Sequence, residues 1–405
     1  MVEESSVKAI ILAAGEGTRL RPFTDSLPKG MIFLANKPIL SYVVESLVSA
    51  GITEIVMVVG YQKERIMDYF GDGNHVGAHI TYIFQERQLG TGHALLQAAQ
   101  LFGNQTYVVP ADNIVNEQMI KSIRNQTAPA LLCVLHDESS KYGVVRIENN
   151  LLTQICEKPE MNQGNIISTG IYKFTKDVIP LLRQTVQDGK TDLTDTIKAM
   201  ISQGLNIHAT ISNEHWQDVV YPWDIVSVNE FIMQQQTSTQ CSGTIEKGVV
   251  IQGAVTIGKN SVIRSGSYLL GPVCIGDGCH IGPYTCVFPS TAIGDNVSIG
   301  PFSKIQNCVI NSNTTIDSHC SLRQSILGES CVLDSHVVML HADADIRLDT
   351  TSQFLHVQNS GAYIGENTRM HAGVIIHPGV IIGSNTTIHP QKIITNSVKA
   401  NSLVV

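Results

Sequence analysis

Charge is scarce in this 405-residue sequence. Its 27 basic and 35 acidic side chains make up 15% of the chain, against roughly 25% in ordinary globular proteins. The balance, 27 − 35 = −8, leaves no general basic surface for nucleic acid or anionic lipid. No apolar run approaches the roughly 18 residues needed to cross a bilayer, so no membrane partner is expected. The nine cysteines are odd in number and lack paired CxxC spacing, which argues against a disulfide framework or a zinc site. The opening Met1-Val2-Glu3-Glu4 is unlike the basic-then-apolar start of a secretion signal. A cytoplasmic setting is expected. What the chain does have is 43% hydrophobic residues, too many for intrinsic disorder. At about 150 residues per domain it has length for two or three domains.

The charge deficit is uneven. From Ile245 onward there are 19 charged residues, leaving 62 − 19 = 43 before it, and seven of the nine cysteines lie from Cys241 onward. In this second half aliphatic residues recur every six positions: Ile245, Ile251, Ile257, Ile263, Leu269, Ile275, Ile281, Val287, Ile293, Ile299 and Ile305. A mostly small residue follows each by four, from Val249 and Val255 through Ser261 and Cys279 to Val309. After a disturbed stretch the period resumes at Ile364 and runs to Ile394. Six matches neither a helix nor an isolated strand, but it suits a solenoid with three short strands per coil and inward-pointing aliphatics. The polar run Gln234 to Gln240 has no periodicity and reads as a linker. The expected division is 1–233, a linker over 234–244, and a repeat domain over 245–405.

The first half alternates short apolar runs with amphipathic stretches. Strands are expected at Val7–Leu12, Glu54–Val59, Ile80–Phe84, Thr106–Val109, Ala130–Leu135 and Gly170–Phe174, with helices at Pro38–Ala50 and Gln62–Phe70 among others. That order predicts an α/β layered domain with a mixed, largely parallel sheet and a ligand site at the strands' carboxyl ends. Gly15-Glu16-Gly17-Thr18-Arg19 follows the first strand. It reads equally as a tight turn or as a loop whose amides cradle phosphate. Arg19, Arg21 and Lys29 cluster beside it, and cations so placed in an acidic chain favour a polyphosphate. Asp112, just beyond the fourth strand, suits either a cap or a metal ligand.

These residues together resemble the sugar-1-phosphate nucleotidylyltransferases. The pattern L-A-A-G-x-G-T-R-L-x-P-x-T stands at Leu12 to Thr24, followed by Pro28-Lys29, with Gly30 where many members have a second proline. Further matches follow in order: Gln85, Leu89 to Ala94, Asp112-Asn113, Tyr142 to Val145, Glu157 to Pro159, Thr169 to Tyr172, and Trp216 to Asp218. The resemblance implies a Rossmann-like domain followed by a left-handed parallel β-helix. It implies a transfer in which a sugar-1-phosphate oxygen attacks the α-phosphorus of a nucleoside triphosphate and releases pyrophosphate. By that resemblance Arg19 and Lys29 would grip the triphosphate, and Lys158 the sugar phosphate. Leu12, Ala13, Ala14, Gly15, Gly17, Gln85, Gly90 and Thr91 would bind the nucleotide, and Gly143, Glu157, Ser168 and Thr169 the sugar phosphate. Asp112 and Asp218 would hold Mg²⁺. Gln85 matches the position that reads a uracil edge, and thymine offers the same edge, so UTP and dTTP both stay open. Ser168 stands where N-acetylglucosamine enzymes usually have asparagine, which leaves glucose-1-phosphate as well as N-acetylglucosamine-1-phosphate.

The tail resembles that of the bifunctional UDP-N-acetylglucosamine pyrophosphorylases. Those relatives transfer acetyl with a β-helix histidine and a nearby tyrosine. The comparable stretch, Leu322 to Glu329, aligns neither, and Asp345 replaces an expected asparagine. A degenerate acetyl site is expected, although a second, acetyl-transferring activity or a non-catalytic regulatory role remains an alternative. His371 and His389, 18 residues apart, would stack in one column, as a solvated or interface column or as a metal or catalytic pair. The related hexapeptide domains imply a homo-oligomer, a trimer or a multiple of one. Because every expected catalytic residue precedes Ile245, some transfer is expected to survive loss of the tail.

Overall fold

A computed structural model describes residues 7–157, 159, 164–348 and 354–405. The chain forms two compact units, and they interleave. One comprises Met1–Glu16, Leu27–Met31 and Ile39–Asp218; the other comprises Gly17–Ser26, Ile32–Pro38 and Val219–Val405.

The first unit is built on a nine-stranded sheet. Its strands in chain order are β1 (Val7–Ala13), β2 (Glu54–Val59), β3 (His79–Phe84), β4 (Gln105–Pro110), β5 (Ala130–Leu135), β6 (Gly143–Glu148), β7 (Leu151–Glu157), β8 (Ile166–Phe174) and β9 (His208–Ser212). The spatial order is β3-β2-β1-β4-β8-β5-β9-β7-β6. β3, β2, β1 and β4 run parallel; β2, β1 and β4 are apolar runs, as strands buried on both faces require, whereas the edge strand β3 leaves His79, Thr81 and Phe84 exposed. The other half is mixed: β8 runs antiparallel to β4 and β5, and β6 and β7 form a hairpin. That hairpin turns at Asn149-Asn150, both at positive φ (51° and 62°), the geometry that suits a two-residue turn. Alternate residues of each strand face opposite layers. Ile11 of β1 belongs to the core cluster that includes Leu40, Val44 and Met119, whereas Ile10 belongs to the one that includes Leu95, Leu182 and Ile197.

The second unit is a parallel β-helix of three sheets with eight, nine and eight strands. The expected inward aliphatics from Ile257 to Ile305 are buried, while Ile245, on the terminal coil, is 40% exposed. The small residues from Ser261 to Ser303 are buried too, and the hydroxyls of Ser261, Ser267, Thr285 and Ser303 donate to backbone carbonyls, whereas Thr291 Oγ1 has no partner. Ser261 Oγ donates to Gly276 O at 2.7 Å and Ser267 Oγ to Gly282 O at 2.8 Å. The disturbed stretch is a shortened coil: the inward residues step 310 − 305 = 5 and 327 − 322 = 5, so Ile299 pairs with Ile316 and Ile316 with Leu333. A hairpin, Ala342–Ile346 with Leu355–Ser360, is then inserted before the coils resume at Tyr363–Ile364. The cysteines are free thiols, and burial pushes the Cys308 and Cys331 thiols up to about 12. They fill space, as small apolar residues would.

The helix Pro222–Gln234 belongs to this second unit and lies on one β-helix sheet. Met233 packs with Ala35, Cys274 and Ala292. Asn229, fully buried, accepts from Ala35 N at 2.9 Å and donates to Ser290 O at 2.8 Å. Among the described residues no helix is long and apolar enough to cross a membrane.

Candidate active site

The carboxyl ends of β1 and β4 are joined at the start of the site, where Ala111 N donates to Leu12 O at 3.2 Å. Ala13 and Ala14 are buried at this junction, and Gly15 beyond them is exposed with open space around it. Ala14 O accepts from Tyr61 N. Asp112, two residues past β4, forms an ion pair with Lys29, both largely covered. The cation expected to grip phosphate and the carboxylate expected to hold a metal therefore sit together. Gly30 explains its departure from the usual proline: it is buried, and a Cβ there would meet Ala111 O at 3.3 Å.

A two-residue ladder brings in the second carboxylate. Asn113–Ile114 pairs antiparallel with Gln217–Asp218, which sets Asp218 opposite Asn113, the residue that follows Asp112. Tyr142 Oη donates to Asp218 Oδ1 at 2.7 Å. Its ring lies edge-on between His136 (4.9 Å) and Trp216 (5.3 Å). Burial holds His136 below its ordinary pKa, opposed by the nearby Glu138 and Asp218 carboxylates. The sequence marked Tyr142 only as part of a motif and did not foresee its hydroxyl reaching Asp218.

The motif at Thr169–Tyr172 is a bulge in β8, since the pairing with β5 shifts between Ser168 and Tyr172. Gly170 takes φ +76°, and a Cβ there would lie 2.8 Å from Pro110 Cγ. The bulge lets Thr169 O accept from Asn113 Nδ2 at 2.8 Å. Thr169 Oγ1 itself donates to Leu132 O, so this side chain braces the sheet. Gly143 faces Glu157 across the β6–β7 hairpin, where a Cβ would meet Glu157 Oε2 at 3.1 Å, with Ser168 Cβ at 3.8 Å. These three residues, expected on the sugar side, lie close together. Lys158 lies outside the described residues.

Gln85, expected to read the base, is 3% exposed. Its Nε2 donates to Gly90 O at 3.2 Å and pairs with His93 Nδ1 at 2.8 Å. His93 thus orients the amide, a role that its motif position did not reveal. Gly90 takes φ +141°, and a Cβ would lie 2.6 Å from Thr191 O. Thr91 Oγ1 accepts from Leu193 N at 2.9 Å and so caps a neighbouring helix. Thr191 and Leu193 had no signal in the sequence. Gly17 and Arg19 fall in the second unit. There Gly17 is at φ +66° before a short 3-10 turn, and the Arg19 guanidinium lies 5.8 Å from the Tyr221 ring centroid.

In the tail, His371 Nδ1 pairs with Asp334 Oδ2 at 2.8 Å, and the His371 and His389 rings meet at 6.0 Å. Leu322 is buried inward, and Asp345 pairs with His356 at 2.9 Å in the inserted hairpin. A histidine stands just upstream at His319, its ring stacked on His336 at 4.9 Å.

Comparison with known proteins places this geometry. Residues 8–235 match the nucleotidyl transferase family, 269–342 the GMPPB C-terminal domain, and 361–396 bacterial transferase hexapeptide repeats. The chain is 40% identical over 409 residues to the bifunctional protein GlmU of Methanococcus maripaludis, covering 98% of this chain and 96% of that one. It is 35% identical over 241 residues to the UTP–glucose-1-phosphate uridylyltransferase AglF of Haloferax volcanii, covering 57% of this chain and 98% of that one. A solved Bacillus anthracis structure, described as a glucose-1-phosphate thymidylyltransferase, superposes with a TM-score of 0.52 at 25% identity. The match covers 56% of this chain and 94% of that one.

Proposed function

The chain belongs to the nucleotidyl transferase family, and we propose that it joins UTP or dTTP to glucose-1-phosphate or N-acetylglucosamine-1-phosphate. The observations that carry this reading are the ion pair of Lys29 with Asp112 just past β4 and the pairing of Asp218 opposite Asn113, the residue after Asp112. In the reaction a sugar-1-phosphate oxygen forms a bond to the α-phosphorus while the bond to the β-phosphate's bridging oxygen breaks, and pyrophosphate leaves. The nucleophile is already an anion near neutral pH, so the protein need not take a proton from it. Positioning and charge neutralisation remain to be supplied. Two carboxylates suit Mg²⁺, which keeps several waters and takes one or two carboxylates together with substrate phosphates. Bound there, the ion would neutralise charge on the phosphate oxygens. Lys29 and Arg19 are assigned to the triphosphate, Lys158 to the sugar phosphate, and the backbone from Leu12 to Gly15 with Gly17 to the nucleotide. The Gln85 amide, held by His93 and Gly90, reads the pyrimidine edge, with Thr91 beside it. Gly143, Glu157, Ser168 and Thr169 line the sugar side.

The β-helix is assigned to assembly as a closed homotrimer or a multiple of one, with no acetyl transfer. A monomer by light scattering would contradict the first part, and coenzyme A release dependent on glucosamine-1-phosphate the second. The substrate reading is tested by pyrophosphate release over the four nucleoside triphosphates and several sugar phosphates. UTP or dTTP should lead; preference for GTP with mannose-1-phosphate would overturn it.

A further inference from the structure

The loop Gly17–Ser26, which carries Arg19, belongs to the β-helix unit and is fastened to its coils at two places. Near the loop's end, Ser26 Oγ donates to Glu366 Oε2 at 2.5 Å, and Ser384 Oγ donates to Asp25 Oδ2 at 3.3 Å. Between these contacts Gly365 lies close against Pro22: a Cβ at Gly365 would stand 2.9 Å from Pro22 Cβ. Glu366 and Ser384 are on successive coils, held in register where Gly365 N donates to Ile382 O and Asn385 N to Glu366 O. The second fastening runs through rings. Arg19 lies over Tyr221, Tyr221 stacks on Trp223 at 4.8 Å, and Trp223 meets Tyr363 at 6.3 Å. Tyr363 is a buried residue of the β-helix, fixed by a 2.8 Å bond between its hydroxyl and Ser360.

Within itself the loop is closed by single turns, in which Leu20 N donates to Gly17 O, Arg21 N to Thr18 O, Phe23 N to Leu20 O and Asp25 N to Pro22 O. Thr24 Oγ1 donates to Gly17 O at 2.9 Å, and Arg21 meets Asp25 at 3.6 Å. A ten-residue segment with so little regular structure loses order readily unless something external holds it. Two fastenings supply that hold, one from Glu366 and Ser384, more than 300 positions away, and one from Tyr221, 221 − 19 = 202 positions away. An arginine that must meet a triphosphate in a fixed orientation gains from such pre-organisation.

We propose that the coil bearing Tyr363, Gly365 and Glu366, with Ser384 from the next coil, is a positioning element for Arg19. This rests on the reading that Arg19 grips the triphosphate. Nucleotidyl transfer then draws on the β-helix, so the transfer expected to survive loss of the tail is transfer with a raised KM for the nucleoside triphosphate.

The test uses the full-length chain with Glu366→Ala, Glu366→Gln and Arg19→Ala. Glu366→Ala should raise the KM for the nucleoside triphosphate about tenfold, the effect expected from roughly 1.4 kcal/mol of lost positioning. It should also speed hydrogen exchange of the amides at 18–26 without changing exchange in β1 or β4. Glu366→Gln keeps an acceptor oxygen and should restore both. Unchanged kinetics in Glu366→Ala, whether or not loop exchange rises, would overturn the positioning role if Arg19→Ala has lost turnover. Normal turnover in Arg19→Ala would overturn the underlying reading of Arg19 instead.

Discussion

The Tyr142 hydroxyl donates to Asp218 Oδ1 across 2.7 Å, from a ring wedged between His136 and Trp216. The bond holds one oxygen of a carboxylate that stands at the end of a two-residue ladder. With one oxygen fixed, its remaining lone pairs point in a set direction. Tyr142→Phe keeps the ring packing and removes only the donor. Groups that orient metal-binding side chains typically contribute 10- to 100-fold in metal affinity. Turnover of Tyr142→Phe measured against Mg²⁺ concentration should therefore half-saturate at about tenfold higher Mg²⁺. A superimposable curve would remove Tyr142 from the site.

Gly90 should tolerate no side chain. Its φ of +141° and the 2.6 Å approach of Thr191 O leave no room for a methyl group. Gly90→Ala should cost about 2 to 4 kcal/mol of stability, the range for strained backbone combined with a clash. Because Gly90 O also accepts from Gln85, the KM for the pyrimidine triphosphate should rise as well. Urea unfolding and initial rates on the same preparation check both effects.

Stability should fall on acidification partly through His136. Burial lowers its pKa in the folded protein below the ordinary 6.5, so the folded imidazole stays neutral where the unfolded one binds a proton. The unfolded state then binds more protons as the pH drops through about 6.5, and stability decreases. His136→Asn should flatten the urea midpoint between about pH 7 and about pH 5.5. An unaltered pH slope in that variant would show that His136 contributes nothing to it.

Much of the fold was legible because it is periodic. Inward aliphatics every six residues announce a β-helix, and Ile257 to Ile305 are buried as that period requires. The apparent break after Ile305 is a one-residue shortening per coil, which shifts the phase of a strict six-residue count without disturbing the stack. The parallel half of the sheet was readable from its apolar runs; the β6–β7 hairpin was not picked out, although Asn149-Asn150 marks its turn. At the site, the motifs located Asp112, Lys29, Asp218 and Gln85. They could not show what each touches, because His93 on Gln85 and Tyr142 on Asp218 are contacts made by folding across 8 and 76 positions. Least visible was the fastening of the Arg19 loop to Glu366. Nothing in local sequence couples residues 340 positions apart.

Pyrophosphate release by the folded Asp112→Ala protein, compared with the unaltered chain under saturating Mg²⁺, pyrimidine triphosphate and glucose-1-phosphate, tests the account most directly. Losing a carboxylate that holds the ion should cost about 3 to 5 kcal/mol of transition-state stabilisation, on the order of 10² to 10⁴ in rate. Asp218→Ala should act in the same direction. Near-normal turnover in folded Asp112→Ala would contradict the assignment of this carboxylate pair to the reaction.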